Sequence, residues 1–168
     1  MLEEEQWMGE STDMMHGRYL TFALGDEVFG IEIRFVTEII GLQPINPIPE
    51  APGYIKGIIN LRGKIFPVID MRLKFKKPPE AYTDRTCIIV IETKSFSVGL
   101  IVDRVAEVLT LADSDIVPPP GVWTGASTRY LSGVGKLGGQ VTLLLDCEKL
   151  FSDAEVDKIG ESAIKADA

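Results

Sequence analysis

Short, β-prone apolar runs broken by glycine, proline and charged residues set the pattern of this chain. Tyr19–Leu24 and Val28–Ile33 flank Gly25-Asp26-Glu27, and Phe29, Ile31 and Ile33 alternate with Gly30 and Glu32, which predicts a hairpin. Phe35, Val36, Ile39 and Ile40 then fall at intervals that suit either one helical turn or a twisted strand. Pro44, Pro47, Pro49 and Pro52 exclude a long helix and predict an extended connector. Ile55–Leu61 and Lys64–Asp70 predict a second hairpin with Arg62-Gly63 at its tip, where Gly63 supplies the positive φ of a tight turn. Pro67 lacks an amide donor and predicts an edge or a bulge for its strand. After a linker with Pro78-Pro79 the order recurs. Thr86–Ile91 and Phe96–Val102 predict a hairpin, and Val105, Val108 and Leu109 follow it. An irregular loop opened by Pro118-Pro119-Pro120 leads to a last hairpin, Tyr130–Leu145, and a short helical stretch near Leu150-Phe151. Asp70 and Asp146, each ending a strand before a helical turn, read as caps.

The pattern repeats residue by residue. Tyr54, Gly57, Leu61, Gly63, Asp70 and Phe75 return as Tyr130, Gly133, Leu137, Gly139, Asp146 and Phe151, and Phe29–Ile40 aligns with Val98–Leu109 without a gap. Positions common to both copies belong to the fold. Asn60 and Arg62 instead become Lys136 and Gly138, so Arg62 is an addition to one copy that the turn itself does not require. Two halves of short strands with turns every few residues predict a mainly β protein made of two small five-stranded β-barrel lobes. The expected lobes are about 18–80 and 84–151. Each is too small to bury much alone, so they are expected to pack on a shared hydrophobic core, with a groove between them.

Charge changes this picture little, because the net −8 resides in the ends. Met1–Gly17 carries five acids and no lysine or arginine, and Ser152–Ala168 carries five acids and two lysines. Residues 1–17 and 152–168 read as acidic tails, with Ala154–Ile164 able to hold a frayed helix. The middle balances 15 basic against 15 acidic residues, which argues against nucleic-acid binding. The basic run Arg62, Lys64, Arg72, Lys74, Lys76, Lys77 keeps one alternative open, a nucleic-acid binder built from two small barrels. The chain has neither an apolar stretch long enough to span a membrane nor a secretory signal, so a cytoplasmic protein is expected. Cys87 and Cys147 read as reduced, packed thiols.

Enzymatic readings find no support. The single histidine, His16, lies in the N-terminal tail, so no Ser-His-Asp or Cys-His arrangement has its base on the folded part. Gly133-Val134-Gly135-Lys136-Leu137-Gly138 matches a dinucleotide-binding pattern by letter but lies in a hairpin. Asp70, Asp103 and Glu107 show no spacing that would unite them into a metal site or a catalytic carboxylate pair. No catalytic residue, metal or cofactor is assigned.

The Asn60-Leu61-Arg62-Gly63 tip followed by Pro67-Val68-Ile69-Asp70, the early Leu-Gly-Asp turn and the Tyr-Leu-Ser-Gly segment at Tyr130 strongly resemble the CheW-like family of bacterial chemotaxis coupling proteins, from about Arg18 to Phe151. The resemblance implies two five-stranded barrels and a non-enzymatic adaptor that links chemoreceptor cytoplasmic tips to the regulatory domain of the histidine kinase CheA in a larger membrane-associated array. An adaptor of a non-flagellar chemosensory pathway is the alternative within the family. Carried over, the receptor-facing groove comprises Val36, Glu38, Ile39, Gly57 and Arg62, an apolar wall with charge at its rim to hold a helical hairpin. By residue chemistry alone Val36 and Ile39 also read as core, and Gly57 as a site of close backbone approach. Val122 and Trp123, in a proline-rich loop, are kinase-facing candidates, although Trp123 could equally fold as a lid on the second barrel.

Overall fold

The computed structural model describes residues 17–50, 53–94, 96–119 and 128–150. The chain forms β1 (Arg18–Leu24), β2 (Glu27–Glu32), a 3-10 turn (Ile33–Phe35), β3 (Val36–Gly41), β4 (Ile55–Leu61), β5 (Lys64–Asp70) and the helical turn α1 (Met71–Lys74). It continues with β6 (Cys87–Glu92), β7 (Ser97–Val102), β8 (Arg104–Thr110), β9 (Ile116–Val117), β10 (Leu131–Leu137), β11 (Gln140–Leu145) and α2 (Cys147–Leu150). The ambiguous stretch after β2 is thus both things in succession, a helical turn and then a strand. Both predicted caps are present. Asp70 Oδ1 accepts from the amides of Arg72 (3.0 Å) and Leu73 (3.4 Å), and Asp146 Oδ1 from those of Glu148 (3.0 Å) and Lys149 (3.1 Å).

The duplication holds down to the register. Ile55 faces Ile69 and Gly57 faces Val68 across a bulge in β4–β5, just as Leu131 faces Leu145 and Gly133 faces Leu144 in β10–β11. Asn46 bridges Ile58 where Val117 of β9 pairs with Val134. The lobes, however, do not follow the order of the chain. One sheet runs β8-β1-β2-β11-β10-β9 and the other β3-β6-β7-β5-β4. The division expected at about residue 80 is therefore corrected, because the two repeats exchange their first hairpins. β1–β2 joins the sheet of the second repeat through parallel pairing of β2 with β11, and β6–β7 joins the sheet of the first through pairing of β7 with β5.

That exchange creates the core. Leu20, Phe22 and Leu24 on β1, with Phe29 and Ile31 on β2, pack against Ile89 and Ile91 on β6 and Val98, Leu100 and Val102 on β7, all buried in one cluster. Phe29 packs against Phe75 (centroids 5.2 Å apart), and Phe75 against Tyr130 (5.9 Å), each pair of rings tilted by 32°. The ammonium of the buried Lys74 lies over the rings of Tyr54 (4.6 Å) and Tyr130 (5.0 Å), the same tyrosine of each repeat. A smaller cluster, Ile59, Phe66, Val68, Ile88, Val90 and Ile101, fills the interior of the five-stranded sheet. In the other sheet Gly135, Thr142 and Thr21 stand where Ile59, Phe66 and Val90 do, and Leu111 fills the space: a Cβ on Gly135 would come within 2.7 Å of it. Leu42, its counterpart, is left exposed.

Pro67 is not at an edge, since β5 lies between β7 and β4. Ile58, opposite Pro67, points its amide and carbonyl away to Asn46, and the ladder to β7 begins at Val68, so the missing N–H costs no rung.

Candidate partner-binding site

At the β4–β5 tip both turn residues are left-handed, Arg62 at φ 52° and Gly63 at φ 85°, and the Gly63 amide donates to Asn60 Oδ1 at 2.9 Å. The second repeat meets the same geometry with two glycines, Gly138 at 58° and Gly139 at 80°. A side chain in this region costs roughly 1 kcal/mol relative to glycine. Arg62 therefore occupies a backbone position better suited to the residue that the other copy has.

Its guanidinium ion-pairs with Glu38 of β3. β3 and β4 are the opposite edges of the five-stranded sheet, so this pair closes a strongly curled, barrel-like lobe at one end. Beside it Lys64 Nζ meets Glu92 Oε1 at 3.0 Å, and that oxygen also accepts from Ser97 Oγ at 3.3 Å. The Lys64 ammonium holds the Glu92 carboxyl below the usual carboxylate range. The two pairs rim an open depression of about 250 Å3 with Leu61, Phe66 and Val90 in its lining. Arg62 remains 70% exposed, and such a pair contributes at most about 1 kcal/mol to stability.

The other predicted residues are distributed around this end. A bulge between Val36 and Glu38 brings Glu38 to the rim, while Val36 is half-buried against the shared core. Ile39 is 45% exposed on β3. Gly57 is buried: a Cβ there would come within 2.0 Å of the Asn46 carbonyl oxygen, so it allows the proline-rich connector to close on β4. Gly133 does the same for β9, where a Cβ would lie 3.2 Å from the Val117 carbonyl oxygen. Val122 and Trp123 lie outside the described residues, as do Phe151 and residues 1–16 and 152–168 of the acidic tails.

A larger opening, about 610 Å3, separates the start of β6 from the first half of β8 and is lined by Arg85, Cys87, Arg104, Val105, Ala106 and Glu107. This is the groove between lobes that duplication implies, but none of its residues was assigned a binding role from the sequence. A usable signal existed, since Asp103-Arg104 aligns with Arg34-Phe35 and changes its character. The Cys87 thiol is half-buried and pushed up by burial; the Cys147 thiol, deep in the core, is pushed up to about 12.

The basic run has little free charge. Arg62 pairs with Glu38, Lys64 with Glu92, Arg72 with Asp103 and Lys77 with Glu27, while Lys74 is buried. Among the described residues no three His, Cys, Asp or Glu side chains are grouped to hold a metal, and no helix is long and apolar enough to cross a membrane.

The family model for the CheW-like domain matches residues 18–155. The chain is 41% identical over 147 residues to the chemotaxis protein CheW of Klebsiella aerogenes, covering 86% of this chain and 89% of that one. With the CheW of Treponema pallidum it shares 37% over 146 residues, covering 83% and 85%. The crystal structure of the scaffolding protein CheW from Thermoanaerobacter tengcongensis superposes with a TM-score of 0.76 at 35% identity, covering 83% of this chain and 94% of that one. Sequence, duplicated fold and structural likeness agree, and the chain belongs to the CheW-like family of chemotaxis scaffold proteins, which are adaptors and not enzymes.

Proposed function

We propose that this chain couples the cytoplasmic tip of a chemoreceptor to the regulatory domain of the histidine kinase CheA, at the cytoplasmic face of a membrane-bound receptor array. The observation that carries this reading is the strained Arg62 on Glu38. The fold does not need an arginine there, the second repeat has glycine, and the pair adds little stability, so a role outside the fold accounts best for it. Exposed Ile39 beside a charged rim has the chemistry to hold a helical hairpin by an apolar stripe and a register-setting charge.

Binding of a receptor tip and of the CheA regulatory domain, measured separately, tests the proposal. Both are expected to be retained, and Ile39→Asp is expected to weaken receptor binding more than CheA binding. Retention of neither partner overturns the adaptor reading. The nucleic-acid alternative loses its support with the internal pairing of the basic run, and a gel shift with RNA and DNA, expected to show no complex, checks it.

A further inference from the structure

We infer that the chain's own acidic segment, Met1–His16, covers the opening between β6 and β8, its carboxylates lying on Arg85 and Arg104 as an intramolecular, autoinhibitory cover. This goes beyond the adaptor reading and does not depend on it. Five cations of the described fold, Arg34, Arg62, Lys64, Arg72 and Lys77, each have a carboxylate partner. Arg85 and Arg104 have none among the described residues, Glu107 of the same lining included, and both are exposed. The fold does not call for Arg104, since the first repeat has Phe35 at that position. Residues 1–16 supply the complementary charge, with five carboxylates and no lysine or arginine, whereas 152–168 includes two lysines. The point of attachment puts the opening within reach. The Gly17 carbonyl accepts from the Leu111 amide at 2.7 Å and Arg18 pairs with Thr110, so the segment joins the fold at the end of β8 opposite Arg104. From Arg104 to Thr110 that strand is about 20 Å long, while the dozen or so residues from Glu5 to Gly17 reach about 40 Å when extended. Counted back from Gly17, Met15 and Met14 precede Glu10 and the Glu3-Glu4-Glu5 run; counted back from Thr110, the exposed Val108 precedes Ala106 and Arg104. Apolar and charged groups therefore meet in the same order. A tether that spans its site holds the segment there at an effective concentration in the millimolar range, so ion pairs too weak to join separate molecules close the opening within one.

The test uses the full chain, isotope-labelled for NMR, with Cys87→Ser and a nitroxide attached through Ser11→Cys; Cys147, buried in the core, does not take the label. At low ionic strength the amide signals of Arg85 and Arg104–Glu107 are expected to lose more than half of their intensity relative to the reduced nitroxide. They are expected to recover at about 1 M salt, where the screening length is about 3 Å. The same recovery is expected at low salt when Glu3→Gln, Glu4→Gln, Glu5→Gln, Glu10→Gln and Asp13→Asn are combined, and when Arg85→Gln is combined with Arg104→Gln, with Tm unchanged in each. Signals that keep full intensity at low salt overturn the inference, as does broadening that survives salt or neutralisation, or that centres on other basic residues such as Lys56 and Lys136. Broadening passed to an isotope-labelled chain by a separate nitroxide-bearing chain assigns the cover to a second copy and also overturns it. None of these outcomes bears on whether receptor tip and CheA are bound, so the two readings fail separately.

Discussion

Arg62 is held in a conformation that disfavours it, and that makes its replacement informative in two directions. Arg62→Gly relaxes a left-handed residue at φ 52°, so the variant is expected to be more stable by about 0.5–1 kcal/mol in denaturant titration. Receptor-dependent stimulation of CheA in a reconstituted mixture is expected to be lost. A variant that is stabilised and still fully couples would show that the arginine serves neither purpose. Gly57 makes the opposite case. Any side chain meets the Asn46 carbonyl oxygen, and even Gly57→Ala is expected to cost about 2 kcal/mol or more in the same titration. A Gly57→Ala protein of wild-type stability would mean that the connector yields easily and that Gly57 is free for a partner.

Among the elements, the junction between β7 and β8 is tied to two others through Asp103. Arg72 of α1 donates from Nε and Nη2 to Asp103 (2.7 and 2.5 Å) and from Nη1 to the Pro78 carbonyl (3.1 Å), while the Gly25 amide of the β1–β2 turn donates to Asp103 Oδ2 (2.7 Å). One carboxylate therefore joins the helix after one sheet to a hairpin of the other. The opposite junction has Arg34 and Glu148 at these positions, with the charges reversed, and Arg34 pairs instead with Glu32 (2.5 Å). Arg72 holds the Asp103 carboxyl below its ordinary range, the bond to its guanidinium being the largest cause. A depressed folded-state value means stability that is present above the unfolded carboxylate range and is lost as pH falls through the folded one. Asp103→Asn is accordingly expected to lower stability by about 1–3 kcal/mol at neutral pH, because it leaves Arg72 largely buried without its counter-charge. The deficit should begin to shrink as the pH drops below the unfolded carboxylate range near about 4 and should vanish only once it passes the depressed folded value, where wild type loses the same charge. A deficit independent of pH would assign the cost to packing.

For the whole molecule the exchange of hairpins has a direct consequence. A piece ending near residue 80 contains β1–β2 and β3–β5, which belong to different sheets and leave the faces of Phe22, Phe29 and Ile31 uncovered. Such a half is expected to lack a cooperative melting transition, whereas mixing it with residues 81–168 should restore one together with the β signal in the far ultraviolet. A half that folds cooperatively alone would mean that each repeat can close on its own hairpin. Most strands, both caps and the Arg62–Gly63 tip were legible because each depends on neighbours in the chain: alternation, a turn pair, an aspartate before a helical turn. The groove between the lobes was expected, but its lining was not legible, since Cys87 and Arg104 come from different hairpins and meet only when two sheets pack.

By itself the sequence determined the hairpins and the internal repeat, because backbone geometry and side-chain alternation act over a few residues and recur wherever the pattern recurs. Comparing the two copies was enough to single out Arg62. Tertiary structure alone decided which hairpin each sheet adopts, that Gly57 backs the connector, and that most of the basic run is neutralised from within. The physical reason is that apolar faces on equivalent hairpins are nearly interchangeable. Their partners are chosen by long-range packing and by parallel pairing of β2 with β11 and of β7 with β5, which no local spacing encodes.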